Sequence, residues 1–164
     1  MTFEEYVSSR GPALVRLARL LTGDEHRAED LTQDVLARAY LHWRRIARVD
    51  RPDVYVRRML VNANTSWWRR RSSRELATAE FADRPGRGDL GGEAADRDEM
   101  WRLIRALPDR QRTVLVLRYY EDLDDATIAA IMDCSPVTVR THAMRALTHL
   151  RERFGVPMTN GSRS

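Results

Sequence analysis

Apolar residues recur at helical spacing along most of the chain, and no stretch shows the two-residue alternation of a strand. Phe3, Val7, Leu14, Leu17, Leu20 and Leu21 mark one face that Gly11-Pro12 interrupts. The pattern therefore predicts a short first helix and a second one beginning near Pro12. Thr22-Gly23-Asp24 reads as a stop followed by a start. Ala28, Leu31, Val35, Leu36 and Ala39 then form the inward face of a helix over 25–43. Val56, Leu60 and Ala63 share a face of a helix over 53–71, after a polar loop that contains Pro52. Further helices are expected at about 98–106, 109–120, 125–132 and 136–153, the last stopped by Gly155 and Pro157. The fold class expected is all-α.

Between 123 and 147 the pattern tightens into a helix-turn-helix. Asp124 can N-cap a first helix, with Leu123 and Ile128 at the two positions of a hydrophobic staple. Ser135 can N-cap a second helix, and Pro136 takes its first position, where a missing N–H is harmless. Asp133 occupies the turn position that usually needs a positive φ, which Asp tolerates better than most residues. On the second helix Val139, Ala143, Ala146, Leu147 and Leu150 point inward. Val137, Thr138, Thr141, Arg145 and Thr148 point outward, with Arg140, His142 and Met144 on the flanks. A small polar face with arginines in reach suits a helix entering the major groove, where Arg reads guanine and a methyl meets thymine. The plainer reading is the solvated face of an ordinary helical hairpin.

Composition divides the chain. Of its 164 residues, 28 are basic, all of them Arg, against 24 acids. Residues 1–76 hold 15 Arg and 10 acids, and residues 100–164 hold 10 and 7, whereas 77–99 hold 3 and 7. Two basic lobes thus flank an acidic connector, a distribution that suits a polyanionic partner. Four of the eight glycines (Gly86, Gly88, Gly91, Gly92) fall in that connector beside Pro85, so it reads as a flexible linker. The expected organisation is two small helical domains, 1–76 and 99–155, with a linker over 77–98 and a disordered tail over 156–164. Cys134 is the single cysteine, which excludes an internal disulfide and fits a reducing compartment. It is expected to be a buried thiol packing on Val139. No apolar run reaches the ~20 residues of a membrane span, and no signal peptide is visible, so a cytoplasmic location without membrane insertion is expected.

Two features of the first lobe invite chemistry. Asp30, Gln33 and Asp34 share an exposed helix face, where like charges four apart weaken a lone helix by a few tenths of a kcal/mol. A basic partner would offset that loss; a solvated face is the plainer reading. Residues 56–74 hold six Arg, the adjacent Trp67 and Trp68, Asn62 and Asn64, and no acid. Rings interleaved with guanidinium groups suit single-stranded nucleic acid, bases stacking while Arg69, Arg70 and Arg71 hold phosphates. Trp43 and Tyr55 are further candidates for that patch. Adjacent residues on a helix point about 100° apart, so one Trp is expected toward the core and the other toward solvent.

These motifs, in this order, resemble the extracytoplasmic-function sigma factors of bacterial RNA polymerase, most of all the small group common in actinomycetes. AEDLTQDVLARAY (28–40) is similar to the family's polymerase-binding helix, VRRMLVNANTSWWRRR (56–71) to its promoter-opening segment, and 107–147 to its domain four. The resemblance implies that Asp30, Gln33 and Asp34 face the β′ clamp of core RNA polymerase, with the β flap as a second polymerase contact. It implies that Asn62, Asn64, Trp67, Trp68, Arg69, Arg70 and Arg71 meet the minus-ten element as it opens, and that the loop from Arg48 to Tyr55 holds a flipped base. Val137, Thr138, Arg140, Thr141 and Arg145 would read the minus-thirty-five element as duplex. Promoter DNA, core polymerase and an anti-sigma factor are the partners so implied, with no cofactor and no catalytic residue. The chain departs from the family's common pattern at Asp133, often Gly, and at His142 and Met144, often more basic.

The rival resemblance is to LuxR-type regulators, through 107–123 and the Val-Arg-Thr-His string. The first lobe lacks the strand–helix alternation of a receiver domain, and its acidic stripe and Trp-Arg helix have no place there. An enzyme has little support: no phosphate-binding Gly-rich loop, no HExxH and no paired cysteines. His142 and His149 are too few ligands for a metal.

Overall fold

The computed structural model describes residues 1–78 and 102–154, with side chains over 1–73 and 102–153. Every regular element among them is helical: α1 (Phe3–Thr22), α2 (Glu25–Leu41), α3 (Trp43–Ile46), α4 (Pro52–Thr78), α5 (Asp109–Leu115), α6 (Asp125–Met132) and α7 (Pro136–Phe154). Residues 102–105 are helical as well, part of the helix expected at 98–106. Of the expected linker, residues 79–98 lie outside the described residues, as does the tail from 156; its first two positions, 77 and 78, continue α4.

Local chemistry sets most helix ends. Thr2 and Glu5 form a reciprocal capping box at the start of α1, the Thr2 Oγ1 accepting from the Glu5 N–H at 3.1 Å. Gly23 closes α1 in the left-handed region at φ 74°. Asp24 then caps α2, accepting from the His26 and Arg27 N–H groups. Asp124 caps α6 through the Thr127 N–H at 2.8 Å, and Ser135 caps α7 through the Thr138 N–H at 3.1 Å. Asp133 sits at φ 58°, ψ 51°, as the turn requires.

Three expected boundaries shift. Gly11-Pro12 does not split the first helix, and α1 runs unbroken with Pro12 inside it. Pro12 and Ser8 both lie on the solvent side, so water can serve the Ser8 carbonyl that loses its helical donor. Tyr6 and Leu14, Leu17 and Leu21 anchor both halves in the core. The helix over 25–43 ends at Leu41, because His42 leaves helical geometry (φ −114°, ψ 19°) and turns Trp43 into α3. Trp43 therefore packs on Phe3 and Tyr6, with ring centroids 5.6 and 5.1 Å away, and not beside Trp67 and Trp68. Finally, the helix over 109–120 changes pitch: α5 passes into a π-helical turn, Val116–Tyr120. Leu123 N–H returns to the Leu117 carbonyl across Asp122 at φ 57°, a Schellman-type stop that places Leu123 for the next cap.

The two lobes share a core. One buried cluster runs from Tyr6, Leu17, Leu21 and Val35 through Val56, Leu60 and Val61 of α4 to Val114, Leu117, Ile128 and Ile131 beyond the linker. A second, smaller cluster joins Leu107, Leu115 and Ala146, with Leu147 and Leu150 half-buried against it. Cys134 packs at the edge of the main cluster, half-buried, and burial raises its thiol pKa. Residues α4 was expected to turn inward do so for Val56 and Leu60, while Ala63 is half-buried.

Candidate nucleic-acid interface

The second helix of the helix-turn-helix, α7, presents the face expected of it. Val137 and Met144 are each 62% exposed, and Arg140 and Arg145 are exposed. Thr138 and Thr141 are half-buried, their hydroxyls drawn toward the helix: Ser135 Oγ donates to Thr138 Oγ1 at 3.1 Å and Thr141 Oγ1 donates to the Val137 carbonyl at 3.1 Å. What they offer a groove is therefore chiefly their methyl groups. Arg140 lies 3.6 Å from an oxygen of the half-buried Asp125 on α6, a loose pair, whereas among the described residues no ion pair holds Arg145. Val139, Ala143 and Ala146 are buried beneath this face. His142, flanked by Arg110 and Arg145, has its pKa lowered, first by burial and then by those two charges.

On α2, Asp30, Gln33 and Asp34 are exposed. Asp34 pairs with Arg38 one turn on, at 3.3 Å, an exposed contact worth at most about 1 kcal/mol. The same face continues into residues that sequence reasoning passed over. Leu41 lies eleven residues from Asp30 and Tyr40 seven from Gln33, both near whole numbers of turns. Leu41 is 73% exposed and Tyr40 59%. The acidic face thus ends in an exposed apolar pair, Tyr40 meeting Phe3 along one edge at 5.1 Å between ring centroids, a signal that a helical wheel extended by one turn would have shown.

The α4 residues separate into two groups. Asn62, Arg69 and Arg70 are exposed, and Arg71 is half-buried. Asn64 is buried, at 1% exposure: its Oδ1 accepts from Arg27 at 3.1 Å and its Nδ2 donates to Asp109 at 3.4 Å. Trp67 and Trp68 are both half-buried and meet edge to face at 5.1 Å, so neither takes the core or the solvent alone. Arg27 stacks on the Trp67 ring, its guanidinium carbon 3.2 Å from the centroid. Burial, followed by the charges of Arg71 and Arg112, pushes the Arg27 pKa down to about 10, against a rise from Asp24. Across the lobe boundary the Arg112 guanidinium carbon stands 4.6 Å from the Trp68 centroid. Arg112 is itself 1% exposed and is held by the Leu107 carbonyl at 2.9 Å and by Asp109. Its pKa is lowered, chiefly by burial, against the opposing pull of Asp109.

The loop before α4 is basic. Arg44, Arg45, Arg48 and Val49 line an open cavity of about 510 Å³, and Arg45 donates to the Tyr55 hydroxyl at 3.4 Å. Tyr6 underpins this end by donating to Asp53 at 3.0 Å, and its pKa is raised by burial first and by Asp53 next. Among the described residues no His, Cys, Asp and Glu cluster could hold a metal, and no helix is long and apolar enough to cross a membrane.

Comparison with known proteins follows the same division. Residues 6–74 match the family model for Sigma-70 region 2, and residues 97–150 that for Sigma-70, region 4. The RNA polymerase sigma-E factors of Streptomyces coelicolor and Streptomyces avermitilis are each 39% identical to the chain over 154 residues, 94% of this chain and 86% of theirs. Among solved structures, the sigma factor RpoE of Bartonella quintana, in complex with the anti-sigma factor NepR, superposes with a TM-score of 0.79 at 22% identity. That match covers 95% of this chain and 98% of that one, and at such identity it speaks for the fold alone.

Proposed function

The chain belongs to the sigma-70 family of RNA polymerase sigma factors, and from that premise we propose how its surfaces divide the work of transcription initiation. The carrying observation is that the two family regions fall, in order, on the two lobes, residues 6–74 on the one with the acidic stripe and the Trp-Arg helix and residues 97–150 on the one with the helix-turn-helix. As an alternative sigma factor it binds core RNA polymerase and directs promoter-specific initiation; the LuxR-type reading leaves residues 6–74 unexplained. Asp30, Gln33 and Asp34, extended by Tyr40 and Leu41, form the face for the β′ clamp, acid pairing with base around an apolar contact. Val137, Thr138, Arg140, Thr141 and Arg145 read duplex DNA, Arg145 at base edges and Arg140 at phosphate. Asn62, Trp67 and Arg69 to Arg71 take the melted strand, joined by Asn64 and Trp68 once these are uncovered.

In this reading residues 1–76 bind polymerase and open the promoter, 77–98 link, 99–155 read the duplex and 156–164 form a tail. The protein works in the cytoplasm, performs no catalysis of its own and is a candidate client of an anti-sigma factor, as the relative from Bartonella quintana is of NepR. The test is reconstitution with core polymerase and run-off transcription on genomic DNA. Discrete start sites that vanish with Asp30→Arg and Asp34→Arg, while circular dichroism stays helical, are expected. Unchanged initiation by that double variant would overturn the interface.

A further inference from the structure

The exposed face of α7 is apolar along its middle. At 100° per residue, Val137, Thr141 and Met144 fall within about 60° of one another. Arg145 follows about 40° beyond Thr141, and Arg140 about 40° beyond Met144 on the other side. Val137 and Met144 are each 62% exposed, so Met144 belongs to the open face and not only to its flank. Thr141, between them, spends its one hydroxyl proton on the Val137 carbonyl at 3.1 Å and has none left for a base. Val137 has no polar group in its side chain, and the Met144 thioether is only a weak acceptor. The strip therefore offers methyl and thioether surface and no side-chain donor.

Covering such a strip is favourable only against another apolar surface, and charge narrows the choice of cover. Arg145 is exposed, and among the described residues no ion pair holds it; Arg140 has only its loose contact with Asp125. An apolar strip between two such guanidinium groups complements a surface with an apolar floor and anionic walls. The major groove of duplex DNA is that surface wherever it carries thymine, whose 5-methyl is the one apolar substituent on the base edges there. Arg140 then reaches the phosphates of one wall, and Arg145 a purine edge beside the methyls. Val137 and Met144 are seven residues apart, about 10 Å of helix, which is about three base steps.

We propose that Val137, Thr141 and Met144 form a reader of thymine methyl groups. The preferred duplex carries at least two thymines within about three base steps, selected for their 5-methyl groups and not through hydrogen bonds. This rests on the reading of α7 as the duplex-binding helix and adds the class of base that the middle of its face selects. Met144 thereby joins Val137 and Thr141 as a residue that determines specificity.

The test uses the full chain assembled with core RNA polymerase, which selects its preferred sites from a pool of randomised promoter-length duplexes. In the selected site deoxyuridine then replaces thymine, one position at a time and only in the duplex part upstream of the melted segment. Uracil pairs as thymine does and lacks only the methyl. Each methyl lost beneath the strip should weaken binding by the native chain about 3–5-fold. Val137→Ala and Met144→Ala should weaken binding to the thymine duplex by a similar factor, yet bind the uracil duplex within about twofold of the native chain. Arg145→Ala should keep the sensitivity to uracil.

Equal binding of uracil and thymine duplexes by the native chain, with a duplex motif still selected, would overturn methyl reading and leave the duplex reading of α7 intact. The same equality, with Val137→Ala binding duplex like the native chain, is the result if the strip seats a protein instead. A duplex motif without paired thymines also rejects the proposal. If no duplex motif is selected at all, the reading of α7 fails and methyl reading falls with it. Both alanine variants change exposed side chains, and circular dichroism of each separates these outcomes from misfolding.

Discussion

The two helices proposed to meet nucleic acid differ in what the fold leaves them free to do. α7 buries Val139, Ala143 and Ala146 against its own lobe and turns a nearly unencumbered face outward. α4 spends both sides: Val56, Leu60 and Val61 go into the core, and Arg57, Asn64, Thr65 and Trp68 meet the second lobe. A helix at the edge of a fold keeps its reading face by default. A central helix must share its faces, so its activity depends on what covers it.

The sharpest way to break this contrast is to attack the shared core. Ile128 of α6 is fully buried in the cluster that includes Leu60 of α4, so Ile128→Ala should destabilise by about 2–5 kcal/mol. Because the cluster crosses the lobe boundary, helicity and tryptophan fluorescence should fall in one transition on urea titration. Two separate transitions would show that the lobes unfold independently.

The tryptophan pair sharpens it further. Trp68→Ala removes a half-buried ring that the second lobe covers and should lower stability by about 2 kcal/mol, measured by thermal unfolding. Trp67→Ala gives up the ring beneath Arg27 and should chiefly weaken binding to a pre-melted promoter, by ~1–3 kcal/mol for a lost stack. Permanganate footprinting in which both variants open promoters like the native chain would contradict the assignment.

On α7 the expected effects are confined to reading. Arg145→Ala should relax preference at one or two duplex positions, by roughly 1–3 kcal/mol. Arg140→Ala should weaken all sites alike and reduce the salt slope by about one unit. A binding-site selection in which Arg145→Ala returns the native motif would reject this register of the helix.

The smallest effect is a pH dependence. His142 has a lowered folded-state pKa, from burial and then Arg110 and Arg145. As pH falls below the unfolded value of about 6.5, the unfolded chain takes up the proton first and stability declines, levelling off once the folded state is protonated too. His142→Gln should flatten that acid slope slightly in urea titrations between pH 7 and 5, with no change above pH 7.

How much of this was legible follows from the range of the forces involved. Asp124, Ser135, Pro136 and Asp133 act on backbone groups within a few residues, so the helix-turn-helix could be read from the sequence alone and is built as read. The acidic stripe on α2 and the outward face of α7 follow from 3.6-residue spacing and needed nothing more. Family resemblance carried the ordering of these parts into a function. Other features required the tertiary structure. Pro12 stays inside α1 because packing on both sides outweighs a local penalty. Trp43 is drawn to Phe3 and Tyr6 once His42 turns the chain. Asn64 and Trp68 are covered by Asp109 and Arg112, residues over forty positions away. Helical periodicity tells which side of a helix is buried only when one side is; on α4 the polar residues of the second face are buried by polar partners, a pairing that spacing along one helix does not encode. The sequence by itself determined the helices, their caps and the two candidate reading surfaces, because those depend on neighbours in the chain. Which surface stands open and which is closed was decided by the packing of one lobe on the other.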